Sequence, residues 1–81
     1  MRNTRYYSEA EMIPEVSSNS AGRIIGKSAQ TIRRHVDSGH LQARKEGPTG
    51  IIRIDVDELR RFAMKFQYRF NEELAKQLAR N

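Results

Sequence analysis

The stretch Ser20-Ala-Gly-Arg-Ile-Ile-Gly-Lys-Ser-Ala-Gln-Thr-Ile-Arg-Arg-His-Val-Asp-Ser-Gly-His-Leu41 decides the fold. The polar cluster Ser17, Ser18, Asn19 and Ser20 precedes it, and such residues cap helices by accepting hydrogen bonds from the first-turn N–H groups. A first helix is therefore expected from about Ser18 to Ile25, with Ala21, Ile24 and Ile25 at helical spacing on its inner face. Gly26 ends it, because only glycine takes up a left-handed backbone cheaply. Lys27 follows, and Ser28 is a good N-cap for a second helix from about Ala29 to Ser38. Ile32 and Val36, spaced by four, face inward. Gly39 stops that helix as its C′ residue, and Leu41 returns to the core.

Working outward toward the C-terminus, Leu41 to Ala43 and Ile51 to Ile54 read as two strands flanking Arg44-Lys-Glu-Gly-Pro-Thr-Gly50. Gly47, Pro48 and Gly50 supply the turn chemistry of a hairpin. Period-two alternation turns Ile52 and Ile54 inward and Arg53 outward, with Ile51 sharing the outer face. Asp55-Val-Asp-Glu58 has capping-box spacing. Leu59, Phe62, Phe66, Phe70, Leu74 and Leu78 then recur every three or four residues, with no Pro or Gly among them. This predicts one helix running to about Arg80, some 24 residues and roughly 36 Å long. Its far end either breaks near Asn71 or meets another chain.

The expected architecture is mainly α with a small β-hairpin, a helix-turn-helix with a wing followed by a long C-terminal helix. Residues 1–16 form an N-terminal arm or a short helix over Glu9 to Ile13. Residues 17–62 form the winged unit. Residues 63–81 form the C-terminal helix, with Phe66, Phe70, Leu74 and Leu78 as a candidate oligomerisation stripe.

Charge points to the same segment. The chain of 81 residues carries a net charge of +5. Seven Lys or Arg lie between Ser20 and Arg53 against Asp37 and Glu46, and basic and acidic residues cancel elsewhere. The whole excess thus sits on the helix-turn-helix and hairpin, which favours a polyanion partner there. The absence of cysteine excludes a disulfide scaffold and a zinc finger. His35 and His40 are five apart rather than the four of a helical metal pair. No Ser-His-Asp order, phosphate loop or dinucleotide fingerprint is present. The chain is expected to be neither an enzyme nor a cofactor or metal carrier. No apolar run approaches a membrane span and no signal peptide opens the chain, so a cytoplasmic, nucleoid-associated protein is expected.

Reading a major groove requires a helix held by its inner face, with short polar and long basic side chains on its first turns. Gln30, Thr31, Arg33 and Arg34 meet that demand. Gln bonds adenine in a bidentate way, Thr touches a phosphate or a thymine methyl, and Arg forks onto guanine or clamps phosphate. Lys27 and Ser28 stand at the helix start, where the dipole attracts phosphate. Helix 29–38 is the expected groove reader. The wing 43–53, with Arg44, Lys45 and Arg53, is expected on the backbone or in the minor groove.

Ala-Gly-Arg-Ile-Ile-Gly-Lys-Ser-Ala-Gln-Thr-Ile-Arg-Arg-His-Val-Asp-Ser-Gly-His-Leu, together with Ile-Arg-Ile-Asp-Val-Asp-Glu-Leu, resembles the winged-helix DNA-binding domain of the MerR superfamily, most closely its small excisionase-like branch. The resemblance covers about residues 17 to 62. It implies that Thr31 and Arg33 meet DNA, and that His35, where the family often has an aromatic, lies against the DNA backbone or packs beside Val36. The family's alanine pair in helix one is Ala21-Gly22 here, which weakens that helix by up to about 1 kcal/mol. These features imply a sequence-preferring duplex-DNA-binding protein, either a transcription regulator or an excisionase-like recombination directionality factor of a phage or mobile element. Self-association through the C-terminal helix, and a recombinase or transcription-machinery partner, go with that reading. The alternative is a protein-interaction adaptor on the same scaffold.

Overall fold

A computed structural model describes residues 14–79. Its elements are β1 (Glu15–Val16), α1 (Ser18–Ile25), α2 (Ala29–Asp37), β2 (Arg44–Glu46), β3 (Ile51–Asp55), α3 (Val56–Phe66) and α4 (Glu72–Leu78). The described chain is mainly helical, with four helices and a three-stranded antiparallel sheet of order β1-β3-β2. No helix among the described residues is long and apolar enough to cross a membrane.

The local signals around α1 and α2 act as the sequence requires. Ser17 Oγ accepts from the Ser20 N–H at 3.1 Å, and Ser28 Oγ accepts from the Thr31 N–H at 3.1 Å. Gly26 ends α1 in the left-handed region at φ 75°, and the Lys27 N–H reaches back to the Gly22 carbonyl at 2.8 Å. Past Ser38, Gly39 at φ 83° allows its own N–H to bond Val36 O at 3.1 Å and the His40 N–H to bond His35 O at 2.9 Å. That paired closure is a Schellman motif.

Two expectations need correction. The first hairpin strand is Arg44–Glu46, not Leu41–Ala43. Gly47 and Gly50, at φ 73° and 68°, confine the turn to four residues, so pairing begins at Glu46 opposite Ile51. Leu41 is instead consumed by the core just beyond α2, where it is 2% exposed. Second, Glu15–Val16 is a strand rather than part of an arm. It pairs Glu15 with Asp55 and Val16 with Ile54. The short helix expected over Glu9 to Ile13 lies outside the described residues.

The long helical pattern takes the first of its two alternatives and breaks just before Asn71, giving two helices. Gln67 takes the left-handed conformation at φ 60° and closes α3, with its N–H on Met64 O and the Tyr68 N–H on Ala63 O at 2.8 Å. Asn71 then caps α4, its side chain accepting from the Leu74 N–H at 3.0 Å. The chain reverses because α4 can cover the core. Ala75 is buried, and Phe66, Phe70, Leu74 and Leu78 are half-buried against the same core.

That core is one cluster. Ile24 and Ile25 of α1, Ile32 of α2, Ile54 of β3, Leu59 of α3 and Val16 of β1 are its largest fully buried side chains. Each such side chain stabilises the fold by about 1.5–3 kcal/mol through removal from water. Ile32, with the half-buried Val36 beside it, fixes α2 by its inner face, and Gln30, Arg33 and Arg34 are left outside.

Candidate nucleic-acid interface

With Ile32 fully buried, helical geometry puts Gln30, Arg33 and Arg34 on the outer side of α2, and all three are exposed. Asp37 closes this stripe at its C-terminal end. Among the described residues neither Arg33 nor Arg34 makes an ion pair. Thr31 is half-buried, and its hydroxyl lies 3.0 Å from the Ser28 hydroxyl that caps the helix. Ser28 and Thr31 therefore shape the helix start as well as facing outward from it.

Lys27 stands in the turn before α2, with its ammonium 4.4 Å from the centroid of the Tyr68 ring. Tyr68 belongs to the segment between α3 and α4. The neighbouring Arg69 lays its side chain along the α1–α2 turn, and a Cβ on Gly26 would sit 3.3 Å from its Cδ. The Asn71 N–H donates to the Ile24 carbonyl at 3.0 Å and pins that segment in place. Lys27 and Arg69 thus bring two cations, unpaired among the described residues, to the start of α2. Sequence reasoning missed Arg69, because only the reversal at Gln67 carries it there.

The hairpin cations divide between the two faces of the sheet. Lys45 pairs with Ile52 in register, so it shares the face of Ile52, Ile54 and Val16, which is turned to the core and helices. Arg44 and Arg53 pair with each other on the opposite face, together with Glu15, Glu46 and Asp55. Two arginines directly opposite repel. Carboxylates relieve them. Arg44 forks onto Glu15 with Nε and Nη2 at 2.9 and 2.7 Å, and Glu46 bonds Arg53 Nε at 3.1 Å. The Glu15 hydrogen bond raises the Arg44 pKa above its ordinary value. Hydrogen bonding from Arg53, then the charge of Arg44, pulls the Glu46 carboxyl below its usual range. Glu15 was not a candidate from sequence, since no local signal couples it to Arg44.

His35 does not join the outward stripe. Its ring is half-buried and meets Phe62 and Phe66 edge-on, at centroid distances of 4.8 and 5.0 Å. Its Nε2 is 3.4 Å from the Tyr68 hydroxyl and its Nδ1 is 3.4 Å from His40 Nδ1. Burial, and then the nearby His40, lower its pKa below the ordinary 6.5. Packing, not backbone contact, is the role its position supports.

The four residues of the candidate oligomerisation stripe lie on the chain's own core. Phe66 enters the aromatic cluster with Phe62, His35 and Tyr68, and Phe70 lies under the Arg60 guanidinium at 5.1 Å. Among the described residues no group of three or more His, Cys, Asp or Glu is placed to hold a metal ion. No family model, curated protein or solved structure matches the chain.

Proposed function

We propose that this chain is a winged helix-turn-helix protein that binds duplex DNA with sequence preference. The observation that carries this reading is the outer side of α2. Gln30, Arg33 and Arg34 project from a helix whose opposite side is locked by Ile32, and the arginines have no acidic partner among the described residues. Unpaired arginines in a row stay solvated at a cost in mutual repulsion, and a polyanion relieves it. α2 enters the major groove, where Arg33 and Arg34 fork onto guanine or phosphate and Gln30 onto adenine. Lys27, Ser28 and Arg69 meet phosphates beside the helix start, and Lys45 meets the backbone from the hairpin. Arg44 and Arg53 act through the hairpin they brace. No catalytic step and no cofactor belong to this reading.

The role that suits a winged helix-turn-helix of this kind is transcription regulation or the direction of a recombination reaction. Selection of binding sites from random duplexes, followed by footprinting, tests both levels. One short palindrome supports a regulator, and tandem direct repeats with bending support a recombination factor. Failure to protect any duplex at about 50 mM salt, where phosphate contacts are strongest, overturns DNA binding.

A further inference from the structure

The residues joining α3 to α4 contain a contradiction. From Leu59 to Leu78 apolar side chains keep helical spacing, and no Gly or Pro follows Gly50. Nothing in the covalent chain stops a single helix there. The reversal instead requires Gln67 at φ 60°, the only non-glycine residue with positive φ among those described. That conformation disfavours a side-chain-bearing residue by a factor of at least about five relative to glycine. α4 has only seven residues. A helix that short is not stable by itself, so its helicity comes from docking. Its dock is the shared core, where Ala75 is buried and Leu74 and Leu78 pack, together with Arg60 of α3, which forks onto Glu72 at 2.8 and 3.0 Å. The same dock serves an α4 from any copy of the chain.

We infer that a second copy of this chain is a partner, and that the two exchange α4. Residues 67–71 straighten, the Gln67 strain is released, and α3 and α4 become one helix. Phe66, Phe70 and Leu74 then lie along one face of that fused helix. Each α4 leaves its own core and docks on α1 and α3 of the other copy. An exchange of identical elements needs no new docking contacts and gives a closed two-fold pair. The tether holds α4 near its own dock at an effective concentration in the millimolar range, so the closed monomer prevails below it.

The wild-type protein and two single variants test this by size-exclusion chromatography with light scattering, at about 10 µM and about 1 mM, far below that crossover and at it. Wild type is expected to be monomeric at the lower concentration and partly dimeric at the higher. Gln67→Gly removes the strain from both hinges and raises the dimer dissociation constant about thirtyfold. Asn71→Ala removes a cap that only the bent form uses, and it shifts the equilibrium toward dimer. Circular dichroism confirms that each variant is folded.

The chain has no cysteine. An Asp57→Cys/Lys76→Cys variant, whose two positions line the same cleft between α3 and α4 and leave the Arg60–Glu72 fork in place, therefore reports with a short bis-maleimide whose α4 occupies the dock. Links between chains in the dimer fraction and within chains in the monomer support exchange. Any of three results overturns it: wild type and Asn71→Ala both monomeric at the higher concentration, an unchanged dimer in Gln67→Gly, or a dimer linked only within chains.

Discussion

Gly22 of α1 packs directly on the carbonyl of Lys27. A Cβ at position 22 would lie 2.5 Å from that oxygen and 3.2 Å from the backbone carbon of Ser28. The turn that sets α2 against α1 is therefore closed on a residue with no side chain. Gly22→Ala gains up to about 1 kcal/mol of helix propensity. It must also displace main chain, and overpacking of this kind costs about 1–3 kcal/mol. The collision involves backbone rather than a flexible side chain, so destabilisation is expected to win. The thermal midpoint should fall by several degrees, at about 4–8 °C per kcal/mol for a domain of this size. A raised midpoint would show that the turn does not need the close approach.

Arg33 and Arg53 make the clearest contrast for DNA binding. Arg33 is exposed on the outer side of α2 and unpaired among the described residues, whereas Arg53 is bonded to Glu46 on the sheet face that looks away from the core. Arg33→Ala is expected to weaken binding to a selected duplex by about 1–3 kcal/mol and to relax the preference at one base position. Arg53→Ala should change affinity by less than about 0.5 kcal/mol, as surface substitutions away from a contact do. Equal losses from both, measured by fluorescence anisotropy, would return the paired hairpin arginines to the interface.

Most of this arrangement was legible in the sequence because its signals are local. Ser17, Gly26, Ser28 and Gly39 act through hydrogen bonds within a few residues, so the limits of α1 and α2 follow from spacing alone. Long-range partners leave no such trace. Glu15 reaches Arg44 across the sheet, and β1 is only two residues long, too short for a period to show. The break at Gln67 carries neither Gly nor Pro, and what stabilises it is the uncovered core that α4 fills. Gly22 read as a weakness in a helix because its reason lies in the neighbouring turn.

The aromatic cluster at the end of α2 predicts a pH dependence of stability. Burial and then His40 lower the pKa of His35 in the folded chain. The neutral ring is therefore favoured by folding, and the charged ring is not. The contribution is complete above the unfolded value near 6.5 and is lost as pH falls through the lower folded value. The thermal midpoint should decline between about pH 7 and pH 5. His35→Phe keeps an aromatic ring beside Phe62 and Phe66 and should flatten that decline. A variant with the wild-type slope would place the dependence on another group.

The salt dependence of duplex binding separates phosphate contacts from bystander charge. Lys27 and Arg69 flank the start of α2, whereas Lys76 lies on α4 beside Asp57, Arg60 and Glu72. Each neutralised phosphate contributes about 0.9 to the slope of log affinity against log salt. Over the fourfold rise from about 50 to 200 mM, one contact therefore accounts for about a 3.5-fold loss of affinity. Lys27→Gln and Arg69→Gln should each flatten the slope by about one unit, with little change in which sequences are preferred. Lys76→Gln should leave the slope as it is. If Arg69→Gln behaves like Lys76→Gln while Lys27→Gln flattens the slope, the segment between α3 and α4 braces the turn without touching DNA. A flat response of the wild-type protein to salt would remove the phosphate contacts altogether, since neutral contacts release no counterions.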